Sequence, residues 1–463
     1  MITRRSENAR TLAAMLRITE ERASQLLDVS ILITVDRADR AALECSEFFE
    51  KMSSRTVSNV VRSLPADFQS IEVVFGGAQA RTSDFIRVAV SSTHIEIGRA
   101  VRMRPFGETH RLVLLLTACY AAARCLRSVL KDSLPIVGPS STSDFVILLD
   151  SIFGEDRRWM SQPISTGVAY LAGAGAIGNG FMSAITLLDL RGQLNVVDPD
   201  VVSDGNLNRC LWFMAEDVGL YKAEVLVARS QPLLPNLRLV AHCKPLAECR
   251  PEFDHHWLKT LIVAVDSRGA RRKLENEFPR EVFDASTTNI SEIVLHHHRQ
   301  PTAKACLGCI YYDTSDEAAH RKHVAESLGV SLHDVESLSV SEEAAAKICK
   351  QYPSLRETDL VGKAYDSLFK ALCAEAALKT PAQRQVFAPF AFVSVFAGVF
   401  LAIEVGRRLS GDTSLGHYNY WRVSPWAPPV ADLKQLRSTS ELCDTCGNEI
   451  LRQERSRLWS DTE

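Results

Sequence analysis

Apolar residues recur at two different spacings along this chain, and the spacing separates predicted helices from predicted strands. In the first third, apolar positions three or four apart predict helices over residues 6–27, 40–63 and 108–130. Short apolar or alternating runs predict strands over residues 31–35, 71–75, 85–90 and 145–149. We therefore predict an α/β domain over residues 1–158, and residues 154–165 are a plausible junction to a second domain.

The pattern that follows is more specific. An apolar strand at residues 168–172 runs into Gly173, Gly175 and Gly178, and a second apolar strand ends at Asp198, twenty residues later. A strand, a G-x-G-x-x-G turn, a helix and a strand ending in an acid form a nucleotide-binding βαβ unit. By itself this unit is equally compatible with NAD, FAD and ATP.

Basic residues downstream favour ATP. Asn206 and Arg209 follow Asp198 closely, Lys222 comes thirteen residues after Arg209, and Asp266 ends another apolar run at residues 261–265. Cleavage of a triphosphate needs cations to neutralise the leaving pyrophosphate. A carboxylate at the end of a strand suits Mg²⁺, which prefers oxygen ligands.

These elements, in this order, resemble the E1-like adenylating superfamily, which includes ubiquitin-activating enzymes and bacterial activators of sulfur-carrier proteins (ThiF and MoeB type). The resemblance covers about residues 160–450. The element S-x-x-N-L-x-R is complete at residues 203–209, and in D-N-x-x-x-R the Asn is replaced by Ser267. It implies a Rossmann-like adenylation domain with a mixed sheet.

The resemblance also implies roles for the residues of the motif. Asp198 would hold the ribose of ATP, and Arg209 and Lys222 would act catalytically on its phosphates. Asn206 would position the phosphates, and Asp266 would carry Mg²⁺. Asp200 is interpreted as a turn acid rather than a ligand.

Two C-x-x-C pairs add a second signal. Cys306 with Cys309, and Cys443 with Cys446, can supply the four corners of a structural Zn²⁺ site. Many E1-like proteins carry such pairs; the alternative is four unrelated thiols. The histidines at 296–298 precede the first pair, and we expect a structural or surface role for them.

Composition excludes some classes. The N-terminus is charged and lacks an apolar secretory segment, so we expect a cytoplasmic protein without disulfides. The formal net charge of −3 gives no sign of a nucleic-acid or membrane surface. Residues 386–403 carry no charge, but they contain Pro389 and continue into a polar segment, so we predict a buried helix rather than a membrane span.

E1-like adenylation domains work in pairs, so the resemblance implies a role for residues 1–158. They have α/β composition without a glycine-rich loop, which suggests an inactive adenylation-like half preceding an active half at 159–463. An unrelated interaction domain is the alternative. Whether two chains form a homodimer stays open. The source of an arginine from a neighbouring half also stays open, with Arg157 and Arg158 as candidates on charge alone.

The family places its thioester-forming Cys in a crossover segment, here about residues 310–386. This segment holds Cys349 and Cys373. We favour Cys373 because it lies nearer the apolar helix; Cys349 has flanking lysines, which would lower its pKa. The alternative is that both are structural, since free cysteines are commonly buried.

The predicted function is ATP-dependent activation of a ubiquitin-like protein, with transfer to a cysteine and then to an E2-like partner. The layout is similar to the E1 components of bacterial conjugation operons, some of which act in antiphage defence. One alternative is a sulfur-carrier or peptide-modifying adenylyltransferase without conjugation. Another is a non-catalytic scaffold, which the complete set of site residues disfavours.

Overall fold

The structure is a computed structural model that describes residues 4–65, 68, 70–252, 254–288, 290–312, 315–337, 340–363, 365, 368–369, 372 and 390–460. The strands of this part of the chain form two sheets. The first is built from residues 30–148 and the second from residues 164–435. Each sheet combines parallel strands at one side with antiparallel strands at the other, as expected for a Rossmann-like domain with a mixed sheet.

The first sheet has the strand order β2-β1-β3-β4-β5-β6. Strands β1 to β4 pair in parallel, and β5 and β6 complete the sheet in antiparallel orientation. The strands are β1 (Ser30–Val35), β2 (Asn59–Val61), β3 (Glu72–Phe75), β4 (Phe85–Val90), β5 (His94–Gly98) and β6 (Phe145–Leu148).

The second sheet has the strand order β9-β8-β7-β10-β11-β12-β13-β14. The first five of these pair in parallel, and the last three are antiparallel. The strands are β7 (Ile164–Ala172), β8 (Leu190–Val197), β9 (Leu237–His242), β10 (Thr260–Val263), β11 (Glu281–Thr288), β12 (Glu292–Arg299), β13 (Tyr420–Val423) and β14 (Lys434–Gln435).

The helices of the N-terminal region, residues 1–158, end at other residues than the sequence predicts. The predicted helix at 6–27 is two helices, Arg4–Leu16 and Glu20–Leu27. Arg17 between them has a positive φ of 55°, and the Thr19 hydroxyl accepts a hydrogen bond from the Arg22 N–H, which caps the second helix. The predicted helix at 40–63 ends at Ser53, because the chain turns there into β2.

Two long apolar helices pack against each other at the centre of the molecule. They are Arg111–Val129, from the first region, and Ala391–Leu409, from the second. Tyr120 and Phe396 meet edge to face, with ring centroids 5.0 Å apart. Among the described residues, Arg111–Val129 is the one helix long and apolar enough to cross a membrane, and 89% of its apolar window is buried inside the protein.

The apolar segment at 386–403 was predicted to be a buried helix. It is helical and buried from residue 391 onward, and residues 386–389 lie outside the described part. Its burial is almost complete, from Ala391 to Arg407. This helix can be apolar all round because protein covers it: it packs against the helices Ala176–Ile185 and Arg111–Val129 and against β11.

The crossover segment forms a helical unit with a core of its own. Its helices are Ser315–Leu328, Leu332–Glu336 and Glu342–Gln351. Their apolar side chains pack together with those of Leu360, Tyr365, Leu368 and Leu372, separately from the main core. A separate core allows this unit to be inserted between β12 and the apolar helix Ala391–Leu409 without disturbing the second sheet.

Candidate nucleotide site and zinc centre

The glycine turn connects β7 to the helix Ala176–Ile185. Gly173 has a φ of +104°, and a Cβ there would lie 2.8 Å from the Ala264 carbonyl group. A Cβ on Gly178 would lie 2.1 Å from the Gly173 carbonyl oxygen. Both positions therefore require glycine for close packing.

Gly175 has a different surrounding. A Cβ there would meet no atom within 4 Å, and the helix that begins after it has no side-chain cap. The N–H groups at this helix end are thus open on the side where an anion can approach. Of the three predicted glycines, two shape the turn and one leaves space above it.

Asp198 closes the turn from the end of β8. Its Oδ2 accepts a hydrogen bond from the Ala174 N–H at 2.7 Å, and its Oδ1 accepts one from the Asp200 N–H at 2.9 Å. The side chain is buried, and burial raises its pKa to about 6, although the Lys222 ammonium opposes the shift. The carboxylate predicted to bind ribose therefore also fixes the shape of the glycine turn.

Lys222 is the first residue of the helix Lys222–Ser230 and lies beside the same acids. Its Nζ is 2.7 Å from Asp200 Oδ2. Burial by itself would lower the pKa of Lys222, but the carboxylates of Asp198 and Asp200 outweigh burial and raise it. Asp200, interpreted from the sequence as a turn acid, is thus the counter-ion that holds this lysine charged and oriented.

Arg209 is held by the loop that carries the S-x-x-N-L-x-R element. Its Nη1 donates to the Gly205 carbonyl oxygen at 2.6 Å and to Asn208 Oδ1 at 2.9 Å. The Asn206 side chain caps the short helix Asp204–Asn206 by accepting from the Ser203 N–H at 3.0 Å. Asn206 therefore shapes the loop that carries Arg209, and its predicted role in positioning the phosphates stays a prediction.

The loop is fastened to the glycine helix. The Trp212 N–H donates to Asn179 Oδ1 at 3.0 Å, and the Trp212 indole N–H donates to the Asn179 carbonyl oxygen at 3.2 Å. Burial raises the pKa of the Cys210 thiol, and Arg209 and Lys222 are both close enough to oppose that rise. The structure thus brings the glycine turn, Asp198, Arg209 and Lys222 to one edge of the second sheet.

The N-terminal region, residues 1–158, contributes contacts for which the sequence holds no local pattern. Asn208 Nδ2 donates to Oδ1 of Asn8, at 3.0 Å, and both side chains are fully buried. The Arg55 guanidinium donates to the carbonyl oxygens of Leu207, at 2.5 Å, and Phe213, at 3.2 Å. Residues before 60 therefore hold the loop that carries Arg209.

Arg157 and Arg158, the candidates for an arginine from a neighbouring half, lie elsewhere. Both precede β7, whereas the glycine turn follows it. Arg157 Nη1 donates to the Ser92 carbonyl oxygen, and Arg158 pairs with Asp156. The length of β7, about 30 Å at 3.3 Å per residue, separates them from the site within this chain.

Asp266 follows β10 at the same edge of the sheet. The Ala264 N–H donates to the Ala172 carbonyl oxygen at 2.8 Å, which keeps the end of β10 beside the glycine turn. The Asp266 side chain is exposed, so its carboxylate is accessible to a hydrated cation. Ser267, in place of the expected Asn, caps the helix Arg268–Glu275 by accepting from the Ala270 N–H at 2.9 Å.

The four cysteines of the two C-x-x-C pairs meet in a buried cluster. The sulfur atoms of Cys309, Cys443 and Cys446 lie 3.7, 3.6 and 3.4 Å from that of Cys306. Four thiolates around a tetrahedral Zn²⁺ would have sulfurs about 3.8 Å apart, given a Zn–S bond of about 2.3 Å. The cluster therefore fits a closed structural zinc site, as the sequence predicted.

Donors around the cluster suit its negative charge. The N–H groups of Ser440 and Cys446 point to Cys309 and Cys443 sulfurs, each at 3.3 Å. The Arg455 guanidinium lies 3.2 Å from the Cys446 sulfur. Four thiolates on one Zn²⁺ carry a net charge of −2, and these donors stabilise it in a buried place.

The three histidines before the first pair lie in β12 and are buried. His296 pairs through Nε2 with the Ala305 carbonyl oxygen at 2.9 Å, and His298 lies 3.3 Å from Glu275. Burial lowers the pKa of His296 and of His297 to about 3, which keeps both rings neutral. These positions agree with the structural role expected for them.

Of the two cysteines predicted as thioester candidates, the structure describes Cys349 but not Cys373. Cys373 lies outside the described residues, although Leu372, directly before it, is buried in the core of the crossover unit. Cys349 donates its S–H to the Leu355 carbonyl oxygen at 3.4 Å. Its pKa is raised by burial and by the carboxylates of Glu357 and Asp359. The expectation that flanking lysines lower this pKa is therefore wrong, because burial and the acids of the following turn raise it.

Comparison with known families places this fold and site. The ThiF family model matches residues 149–441, more than half of the chain, and the E1 N-terminal domain model matches residues 1–149. The chain thus belongs to the ThiF family and carries an E1 N-terminal domain before the ThiF domain. The two models meet at residue 149, in the segment between β6 and β7.

Individual relatives match over parts of the chain. An uncharacterized protein, y4jF of Sinorhizobium fredii (strain NBRC 101917 / NGR234), is 26% identical over 64% of this chain and 59% of its own length. Human ubiquitin-like modifier-activating enzyme 7 is 29% identical over 41% of this chain and 17% of its own. The NEDD8-activating enzyme E1 catalytic subunit of Saccharomyces cerevisiae (strain ATCC 204508 / S288c) is 32% identical over 21% of this chain and 33% of its own.

The chain thus spans less than two thirds of the length of each of these relatives. Among solved structures, E. coli MccB is 13% identical with a TM-score of 0.37, over 79% of this chain and 95% of MccB.

Proposed function

We propose that this protein is an ATP-dependent adenylating enzyme that activates the C-terminal carboxylate of a ubiquitin-like protein and transfers the acyl group to Cys373 as a thioester. The observation that carries the adenylation step is the cluster at the carboxyl edge of the parallel strands. There an open helix N-terminus, a buried acid and two cations face one place.

In the proposed first step, a carboxylate oxygen of the substrate attacks the α-phosphorus of ATP. The bond to the β-phosphate breaks, and pyrophosphate leaves with the electron pair. Asp198 accepts from a ribose hydroxyl, while Arg209 and Lys222 neutralise the charge that grows on the leaving group. Lys222 suits this work because Asp200 keeps it charged before ATP binds.

Mg²⁺, held by Asp266, would add charge neutralisation on the phosphates. The exposed carboxylate of Asp266 at the end of β10 fits this role. The zinc centre is built from cysteines that follow β12 and β14 in the chain, and it would contribute stability rather than chemistry.

In the proposed second step, a thiolate attacks the carbonyl carbon of the acyl adenylate, and AMP leaves. Cys373 is preferred over Cys349, since the acids near Cys349 disfavour its thiolate. The independent core of the crossover unit supports a dedicated role for this segment, because a minimal adenylating enzyme needs no such insertion. The resemblance of the N-terminal region to E1 enzymes supports the same proposal.

The wider context of the proposal is an E2-like acceptor for the thioester, a cytoplasmic location, and a role in a bacterial conjugation system of the antiphage type. A homodimer remains part of the same hypothesis. None of these features is needed for the adenylation chemistry described above.

A non-reducing gel with ATP, Mg²⁺ and a ubiquitin-like protein encoded nearby tests the proposal. We expect an adduct that is sensitive to dithiothreitol and is lost in Cys373→Ala but retained in Cys349→Ala. Substrate-dependent ATP–pyrophosphate exchange should persist in both variants, since neither thiol takes part in adenylation.

Asp266→Ala tests the first step. Exchange should fall in this variant, and normal exchange would contradict the magnesium role. Exchange in the wild type without any adduct would instead indicate a sulfur-carrier or peptide-modifying adenylyltransferase. Absence of both activities would favour a scaffold.

A further inference from the structure

A basic cleft lies at the edge of the second sheet opposite to the nucleotide site. Arg280 directly precedes β11, and Arg299 ends the antiparallel strand β12, so both lie at the amino edge of the parallel strands. The cleft has a volume of about 390 Å³. The length of β11, about 26 Å at 3.3 Å per residue, separates it from the edge that carries Asp266.

Positive charge in this cleft exceeds negative charge. Four cationic side chains line it, and its described lining contains no Asp or Glu. These cations are Arg280, Arg299, Lys304 and Arg408. Glu281, directly after Arg280, is bound to the Arg408 guanidinium at 2.9 Å. Lys304 donates to the Gly416 carbonyl oxygen, a neutral partner that leaves its charge uncompensated.

A buried amide donor and a buried ring nitrogen lie behind these cations. Gln300 is 4% exposed, and its Nε2 has no hydrogen-bond partner within the described part of the chain. His297, also buried at the cleft, has an Nδ1 without a partner among the same residues. An unpaired buried amide costs about 1–3 kcal/mol, so a built-in donor of this kind favours a ligand that accepts hydrogen bonds.

Repulsion among the cationic side chains of the cleft also favours an anionic ligand. The pKa of Arg280 is lowered by burial and by the neighbouring charge of Arg299. The pKa of His297 is lowered by burial first, and Arg408 and Lys304 lower it further. A bound anion would remove this repulsion.

We propose that this cleft is a binding site for a small multivalent oxyanion, one that carries several phosphoryl or carboxylate groups. Arginine and lysine side chains pair with such oxygens by charge-assisted hydrogen bonds, and Gln300 offers a neutral donor beside them. The concave shape and small volume suit a small molecule rather than a nucleic acid, which needs an extended basic surface. This site is independent of the adenylation chemistry.

Isothermal titration calorimetry tests the proposal with tripolyphosphate and, in a second arm, citrate. A non-hydrolysable ATP analogue at saturation keeps the nucleotide site filled, so that heat reports on another site. We expect one site per chain in at least one arm, with affinity that falls as salt is raised. The arm that binds more tightly identifies phosphoryl or carboxylate groups as the preferred chemistry.

Arg299→Gln should weaken binding at least tenfold, because this exposed arginine has no ion pair among the described residues and can turn wholly to the ligand. Arg238→Gln is the matched control: it removes an exposed arginine from β9, away from the cleft, and should leave affinity unchanged. Both positions are at the surface, so both variants should fold.

The proposal fails if neither anion binds at millimolar concentration with the nucleotide site filled. It also fails if Arg299→Gln and Arg238→Gln bind equally well. Neither result would bear on ATP–pyrophosphate exchange, so a failure here is distinguishable from a failure of the proposed function.

Discussion

The two sheets of this protein share one topology, but their first strands lead into different turns. Strand β7 of the second sheet runs into the glycine turn, whereas β1 of the first sheet runs into Asp39 with no glycine between. The order β2-β1-β3-β4-β5-β6 in the first sheet corresponds strand by strand to β8-β7-β10-β11-β12-β13 in the second. In each, the first strand leads into a helix and a neighbouring parallel strand, and a long apolar helix comes between the last two of the matched strands. The N-terminal region is thus built as a second copy of the adenylation scaffold.

The correspondence extends to the centre of the molecule. The matched apolar helices Arg111–Val129 and Ala391–Leu409 pack against each other, so each copy covers the helix of the other. Each helix packs on its own sheet or its own helices as well, and the face that an isolated half would leave exposed is buried against the other helix. This arrangement gives a physical reason for fusing the two copies in one chain.

The copies differ at the helix that follows their first strand. In the second copy, Gly175 leaves the helix N-terminus open. In the first copy, Asp39 occupies that position: its Oδ1 accepts from the Ala42 N–H at 3.0 Å and its Oδ2 from the Phe106 N–H at 2.8 Å. A fixed carboxylate there takes the donors that a phosphate would need and repels it.

The same strand order therefore carries an open helix N-terminus in one sheet and a carboxylate-capped one in the other. The difference lies in one side chain: Asp39 caps the helix Arg40–Ser53, whereas Gly175 leaves the helix Ala176–Ile185 without a side-chain cap. The inactive role proposed for the first region follows from Asp39 as much as from its lack of a glycine-rich turn.

The largest expected effect comes from the zinc centre, which lies in the second copy. Cys306→Ser should reduce zinc from about one ion per chain to near zero and lower the melting temperature strongly, because zinc binding contributes directly to folding. Metal analysis and thermal unfolding measure both. Cys249→Ser, which changes a cysteine outside the cluster, should retain zinc; equal zinc content in the two variants would refute the site.

Gly175→Asp gives the second copy the feature of the first. We expect ATP–pyrophosphate exchange to fall about 100-fold or more, since a carboxylate would replace the open anion position. The melting temperature should be unchanged or raised, because the side chain meets no atom within 4 Å and caps the helix.

Gly175→Asn is the control for that variant, since it can cap the helix without adding charge. It should retain more exchange activity than Gly175→Asp. Wild-type exchange in Gly175→Asp would show that the helix N-terminus does not receive phosphate.

The pH dependence of ATP use should sharpen the assignment of Asp198. Its pKa of about 6 is raised above the ordinary value, so the carboxylate is present above pH 6 and is lost as the pH falls below it. The KM for ATP should therefore rise about tenfold between pH 7 and pH 5. Asp198→Asn should bind ATP more weakly with a flatter profile, and parallel profiles in the two proteins would contradict the assignment.

The smallest effect is expected for the first copy. Asp39→Ala removes the cap of the helix Arg40–Ser53 and should lower the free energy of unfolding by about 1–2 kcal/mol. Exchange activity should stay within about twofold of the wild type, because no ligand role falls on this residue. A large loss of exchange with normal stability would mean that the first copy takes part in catalysis.

Much of the second copy could be predicted from local sequence. The glycine turn, the acid after β8, and the two C-x-x-C pairs each depend on residue types that few other structures require. The sequence therefore indicated the places of Gly173 and Asp198 in the turn and of Cys306 in the cysteine cluster, whereas the roles of Gly173 and Asp198 toward ATP stay predictions. The apolar segment before Glu404 was also correctly interpreted as a buried helix over its described residues, because it continues into Glu404, Arg407 and Arg408.

Only the tertiary structure decided the rest. Asn8 and Arg55 hold the loop of Arg209 from far away in the sequence, through hydrogen bonds that leave no local pattern. The pKa of Cys349 is set by Glu357 and Asp359 rather than by the adjacent lysines, because charges act through space and not along the chain. Likewise, the sequence does not distinguish Asp39 from any other capping acid. Its equivalence to Gly175 is a property of the shared topology of the two sheets.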